Sequence, residues 1–161
     1  MQYLILARHA ETEPSNKNDL ARDLTPHGRK QAQGFIDFFS KEIKYQPDFI
    51  LCSSATRAMN TAKPLTDAFK IKTEFTESLY YADPEKLQLL IATHCDVQSL
   101  MVLSHNPTIS QLTNWLYLTS NNYKRGGAQI FLKPSQVAIF AVESLANLAL
   151  QKNLMVLYES I

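Results

Sequence analysis

Short apolar runs alternate with longer stretches whose apolar residues recur at helical spacing over the first two thirds of the chain. Residues 2–7 (QYLILA), 48–54 (DFILCSS) and 99–105 (SLMVLSH) are runs suited to strands buried on both faces. "KTEF" (72–75) reads as a further short strand. The stretch "LTPHGRKQAQGFIDFFSKEI" (24–43) predicts a helix with Thr25 as N-cap and Pro26 at the first helical position. Its buried stripe is Ala32, Phe35, Ile36 and Phe39. "ATRAMNTAKPLTDAFK" (55–70) predicts a second helix that Pro64 should kink or split. "DPEKLQLLIATH" (83–94), opened by Asp83 and Pro84, and "PTISQLTNWLYL" (107–118) predict two more. Residues 14–24 are polar and read as a loop.

The last third changes character. "AQIFL" (128–132), "QVAIFAVE" (136–143) and "LMVLYES" (154–160) read as strands, the first two joined by a "KPSQ" turn. Strand–helix alternation closed by a run of strands predicts an α/β chain: a three-layer α/β/α sandwich with a mostly parallel central sheet and antiparallel edge strands. A length of 161 residues suits one domain over 1–161. In such sheets ligands bind beyond the carboxyl ends of the parallel strands. Arg8-His9, Ser53-Ser54 and His105 all fall at such ends, so three sequence-distant polar clusters converge on one rim.

Composition narrows the ligand. The net charge is +1, so no global field recruits nucleic acid or an anionic membrane, and an anion must be held by a local constellation. No apolar run approaches the roughly 20 residues that span a bilayer. The N-terminus lacks the basic stretch and cleavage site of a signal peptide, and a cytoplasmic protein is expected. Cys52 and Cys95 have no metal or redox spacing; buried free thiols are expected, with a disulfide left open.

The rim residues suggest phosphate chemistry. Arginine binds phosphate oxygens in pairs and stays charged, and Arg57 follows "CSS" near a helix N-terminus that favours anions. Arg8, Arg57 and a cationic imidazole would balance a phosphoryl group of charge near −2. Of His9 and His105, one must be neutral to act as a nucleophile; the other can be protonated and stabilise the transferring group. No metal or cofactor is required, and a Walker-type loop, a zinc spacing and a serine nucleophile elbow are all missing from the sequence.

The chain resembles the histidine phosphatase ("RHG") superfamily, which includes phosphoglycerate mutases, and within it the small SixA-type phosphohistidine phosphatases. The matching stretches are "LARHAETE", "DLARDLTPHGRKQA", "ILCSSATRAMNTAKPL", "TESL" and "MVLSHNPTI", in family order. The resemblance implies a phosphoglycerate mutase-like fold with His9 as the phosphorylated nucleophile. It implies Arg8, Arg57 and His105 as phosphate-pocket residues and the Asn106 backbone N–H as a further contact. Ala10 stands where the family has glycine. "SHNP" has no acid after the second histidine, and Glu77 in "TESL" is the candidate proton donor. A site short of acid suits N–P cleavage, because imidazole leaves far more readily than an alkoxide.

The expected function is therefore a phosphatase acting on a phosphohistidine-bearing signalling or phosphotransfer protein, with phosphate as product. A small phosphoester substrate, or a non-catalytic phosphate-binding module, are the alternatives. His27 reads as a surface residue and His94 as a helix-end residue. Ser53 and Ser54 read as helix caps, and Trp115, Tyr80 and Tyr81 as packing aromatics. "YKRGG" (123–127) reads as a solvated loop.

Overall fold

The computed structural model describes residues 1–14, 18–120, 129–151 and 153–161. Six strands form one sheet: β1 (Gln2–Arg8), β2 (Phe49–Ser53), β3 (Lys72–Thr76), β4 (Ser99–Ser104), β5 (Gln136–Val142) and β6 (Leu154–Ser160). Their order is β3-β2-β4-β1-β5-β6. The first four are mutually parallel, while β5 runs antiparallel to both β1 and β6. Among the described residues the α-helices are α1 (Pro26–Lys41), α2 (Thr56–Phe69), α3 (Pro84–Ala92) and α4 (Thr108–Leu118).

The period-two geometry of the strands sorts their side chains between two cores. Leu4 and Leu6 of β1 meet Leu87 and Ile91 of α3 and Ile109, Leu112 and Leu116 of α4 on one face. Ile5 and Ala7 meet Phe35 and Phe39 of α1 and Ala58, Ala62 and Leu65 of α2 on the other. Both faces are covered, which is why the central strands read as continuous apolar runs. The expected three-layer mixed sheet is the observed architecture.

Helix starts follow their local chemistry. The Thr25 hydroxyl accepts from the Gly28 N–H, with Pro26 in the first turn, and the Asp83 carboxylate likewise caps α3 at Lys86 N–H. Gly28 has a second role: a Cβ there would lie 2.0 Å from the Glu11 carbonyl oxygen. The turn after β1 can thus rest directly on the start of α1.

Four expectations need correction. Pro64 does not split α2, which runs unbroken through it. Ala58, Thr61, Ala62 and Leu65 continue one buried stripe past the proline, and that burial offsets the roughly 3 kcal/mol such a residue costs. The described part of "AQIFL" is not a strand. Side chains replace a ladder there: Asn114 bonds both backbone groups of Ile130, Ser110 Oγ accepts from Leu132 N–H, and the Leu132 carbonyl accepts from Arg8 and Asn106. Ala55, not a serine, is the α2 N-cap, and Ser53 Oγ instead accepts from the Ala55 N–H at 3.3 Å. Both cysteines are free, Cys52 buried but Cys95 exposed. Residues 123–127 lie outside the described residues. No described helix is long and apolar enough to cross a membrane.

Candidate active site

The turn leaving β1 is pinned on several sides. His9 N–H donates to the Ser104 carbonyl at 3.0 Å, and the His9 carbonyl accepts from Ser135 N–H at 3.1 Å. Ala10 N–H donates to Thr61 Oγ1 at 3.0 Å, and that hydroxyl donates to the Arg57 carbonyl at 2.7 Å. Strand β4, Ser135 before β5, and helix α2 thereby fix the His9-Ala10 turn. Ala10 is buried, and its φ is not among the positive values, which occur only at Lys70 and Ser135 among the described non-glycine residues. Alanine is accommodated there without a left-handed backbone.

His9 is 3% exposed, and its Nδ1 lies 2.7 Å from the Ala10 carbonyl oxygen. A carbonyl only accepts, so Nδ1 carries the proton and Nε2 keeps its lone pair. Burial, with Arg57 and Arg8 adding their repulsion, pushes the His9 pKa down to about 3. His9 is held neutral in one tautomer, as a nucleophile requires.

Arg57, in the first turn of α2, is 3% exposed. Its Nη1 donates to the Asp19 carbonyl at 2.7 Å, and Nη2 lies 3.1 Å from Asp19 Oδ2 and 3.0 Å from His105 Nδ1. Guanidinium has no acceptor, so His105 Nδ1 accepts and its proton sits on Nε2, 3.4 Å from the Leu79 carbonyl. Burial and then Arg57 lower the His105 pKa. With Nδ1 accepting, His105 is neutral like His9 rather than the expected cationic imidazole.

Arg8, half-buried, donates from Nη1 to the Leu132 carbonyl at 3.0 Å. Burial and the charges of Arg22 and Arg57 all oppose its protonated form. The Nε atoms of Arg8, Arg22 and Arg57 are buried and have no hydrogen-bond partner among the described residues; Asn153 Oδ1 is the remaining such atom. A buried donor left unmatched costs about 1–3 kcal/mol, more on a cation. Three of them lie on neighbouring arginines, two of which, Arg22 and Arg57, repel the charge of Arg8.

A cavity of about 220 Å³ opens there, lined by Asp19, Arg57, Tyr80, His105, Asn106, Pro107 and Thr108. His9 and Arg8 are not among its lining residues; the charge of Arg57, which lines it, nevertheless reaches His9. The Asn106 side chain is structural, donating to the Leu132 carbonyl and accepting from Ser110 Oγ. Glu77 is exposed at the start of a short 3₁₀ turn and does not line the cavity.

Sequence reasoning missed Asp19, Arg22 and Tyr80. The Tyr80 hydroxyl donates to Asp19 Oδ2 at 2.6 Å, and its ring lies 5.0 Å from that of His105, so it is a cavity wall rather than a packing aromatic. Arg22 Nη2 stands 3.4 Å from Asp19 Oδ1. The Tyr80 hydroxyl, with Arg57 and Arg22, holds the Asp19 carboxyl below the ordinary carboxylate range. The signal was the charge pattern of "NDLARD", but a polar loop gives no periodicity to show which side chains turn inward. Among the described residues no group of three or more His, Cys, Asp or Glu could hold a metal ion.

Comparison with known proteins decides the family. A model of the histidine phosphatase superfamily (branch 1) matches residues 4–94. The chain belongs to this superfamily. Its enzyme class is that of a phosphatase with a histidine nucleophile. A sequence search of curated proteins returns no significant match. Solved structures share the fold. A protein assigned as phosphohistidine phosphatase SixA from Nakamurella multipartitia has TM-score 0.85 at 21% identity, covering 98% of this chain and 95% of that one. One with the same assignment from Agrobacterium tumefaciens has TM-score 0.79 at 24% identity, covering 99% of each. The protein histidine phosphatase SixA complexed with tungstate has TM-score 0.79 at 18% identity, covering 99% and 97%.

Proposed function

We propose that this phosphatase removes the phosphoryl group from a phosphohistidine carried by a protein, through a phospho-His9 intermediate. The observation that carries the reading is the state of Asp19. It is the acid lining the cavity, and it is ionised and engaged by Arg57 and Tyr80. A carboxylate so held cannot protonate an alkoxide. Phosphohistidine needs no such help: with its other ring nitrogen protonated, it departs as neutral imidazole.

In the first step His9 Nε2 attacks phosphorus, the substrate P–N bond breaks, and the substrate ring leaves with the electron pair. Arg8 and Arg57, with their unmatched Nε–H donors, take the phosphoryl oxygens, and the Asn106 backbone N–H adds a contact. As the dianion enters, His105 gains a second negative neighbour beside Asp19, which favours its protonation. In the second step water attacks phosphorus, the P–Nε2 bond breaks, and His9 is regenerated as phosphate departs. The SixA relative that binds tungstate, a tetrahedral oxyanion, supports an oxyanion site on this fold.

The test is kcat/KM for a phosphohistidine peptide, an aryl phosphate and an alkyl phosphate. The expected order is phosphohistidine, then aryl, then alkyl. Glu77→Gln, which probes the remaining candidate donor, should change phosphohistidine turnover less than about twofold. A preference for the alkyl phosphate that disappears in Glu77→Gln would replace this reading with a small-molecule phosphatase.

A further inference from the structure

The cavity leaves little room for what the phosphoryl group is attached to. Its volume of about 220 Å³ is below the roughly 300–1,000 Å³ of sites that enclose a small molecule. The remainder of a substrate must lie on the rim, so the rim's surface chemistry selects it.

Two large aromatic side chains stand on that rim. Tyr81 is 68% exposed and packs edge-on against Tyr80, ring centroids 4.8 Å apart. Tyr80 in turn lies against His105 and Arg57, at 5.0 and 5.8 Å. Phe131 is 62% exposed, with its ring 5.9 Å from the Arg8 guanidinium carbon. Strand order places them on opposite sides of the anion site. Tyr81 follows β3 at one edge of the sheet, Arg57 follows β2, His105 follows β4, Arg8 and His9 end β1, and Phe131 precedes β5. Along this edge the charged residues occupy the middle and an exposed aromatic stands at either side. Aromatic side chains are enriched where proteins meet, and here one stands at each side of a charged pocket too small to enclose a whole substrate.

Resting on the proposed function above, we infer that Tyr81 and Phe131 form a docking rim for a protein segment with apolar side chains beside its phosphohistidine. The phosphoryl group enters the arginine pocket while those neighbours cover the two rings. A free phosphorylated histidine reaches the same pocket without touching either ring.

The experiment uses three probes: a phosphohistidine peptide with leucines flanking the histidine, the same peptide with serines there, and free phosphohistidine. kcat/KM is measured for each with wild type and with the Tyr81→Ser/Phe131→Ser double variant. Wild type is expected to prefer the leucine peptide over the serine peptide by about tenfold, and the variant to lose that preference. Turnover of free phosphohistidine should stay within about twofold in the variant, which also reports that it is folded. No preference in wild type, or a preference that survives the double substitution, overturns the docking rim. Wild type inactive on all three probes would instead overturn the phosphohistidine reading on which the rim rests.

Discussion

The two ends of the parallel sheet both carry a histidine beside charged residues, yet they are built on opposite plans. At the amino end a cavity of about 810 Å³ is lined by Asp48, Lys72, Glu74, His94 and Asp96 among others. Several of its polar groups have partners. Asp48 accepts from the Gln98 and Ser99 N–H groups, His94 stands 3.0 Å from the Leu90 carbonyl and 3.4 Å from Glu74, and Lys72 lies over the Phe49 ring. At the carboxyl end the cavity is about 220 Å³, with three buried arginine Nε atoms lacking partners among the described residues. The larger hollow holds no buried unmatched side-chain atom among the described residues, whereas the smaller one is lined by Arg57 with its unmatched Nε. On the proposed reading the unmatched buried donors, rather than volume, single out the carboxyl edge as the phosphate site.

The contrast can be broken by substitution, most severely at Arg57. Arg57→Ala removes donors to the phosphoryl group and the partner of His105 Nδ1. It is expected to lower kcat/KM by about 10²–10³-fold and to raise the inhibition constant of phosphate. A loss below tenfold would mean that the carboxyl edge is not organised around this residue.

The next effect is on stability against pH. His9 has a folded pKa of about 3, below its ordinary value near 6.5. Between these values the unfolded chain binds more protons than the folded one, so stability is fully present above about pH 6.5 and falls as pH drops toward 3. The cost from pH 6.5 to pH 5 is about 2 kcal/mol. Urea unfolding at both pH values should show this loss in wild type and a clearly smaller one in His9→Asn. Equal slopes would mean that His9 is not held neutral by its surroundings.

Asp19→Asn sharpens the comparison from the other side. It removes the negative charge that sits on Arg57 where an anion is needed, while the Asp19 backbone carbonyl bond to Nη1 can persist. Phosphate is expected to inhibit the variant about fivefold more tightly, close to 1 kcal/mol. Weaker inhibition would instead make the carboxylate a positioning group for Arg57. The smallest effect belongs to the amino edge: His94→Ala should leave kcat/KM within about twofold and lower stability by about 1 kcal/mol, read by urea unfolding.

What the chain disclosed depended on periodicity. β1, β2 and β4 are buried on both faces, so their apolar runs announced strands and the Arg8-His9 and Ser104-His105 junctions announced strand ends. Capping chemistry at Thr25 and Asp83 was local and equally readable. "AQIFL" misled because its apolar spacing suits a strand while its backbone is matched by Asn114, Ser110, Arg8 and Asn106, partners distant in sequence. The same limit hid Asp19, Arg22 and Tyr80. Their roles come from where a loop and a 3₁₀ turn fold against α2, and no pattern within those segments encodes that.

The central claim is that His9 takes the phosphoryl group from nitrogen. Phosphohistidine on a peptide, carrying radioactive phosphate, is mixed with excess enzyme and quenched in alkali, where phosphohistidine survives. The expected result is label on the enzyme within the first turnover, lost on acid treatment, mapped to a peptide containing His9 and missing from a folded His9→Ala variant. Phosphate release with no labelled enzyme, or label on a residue other than His9, would contradict it.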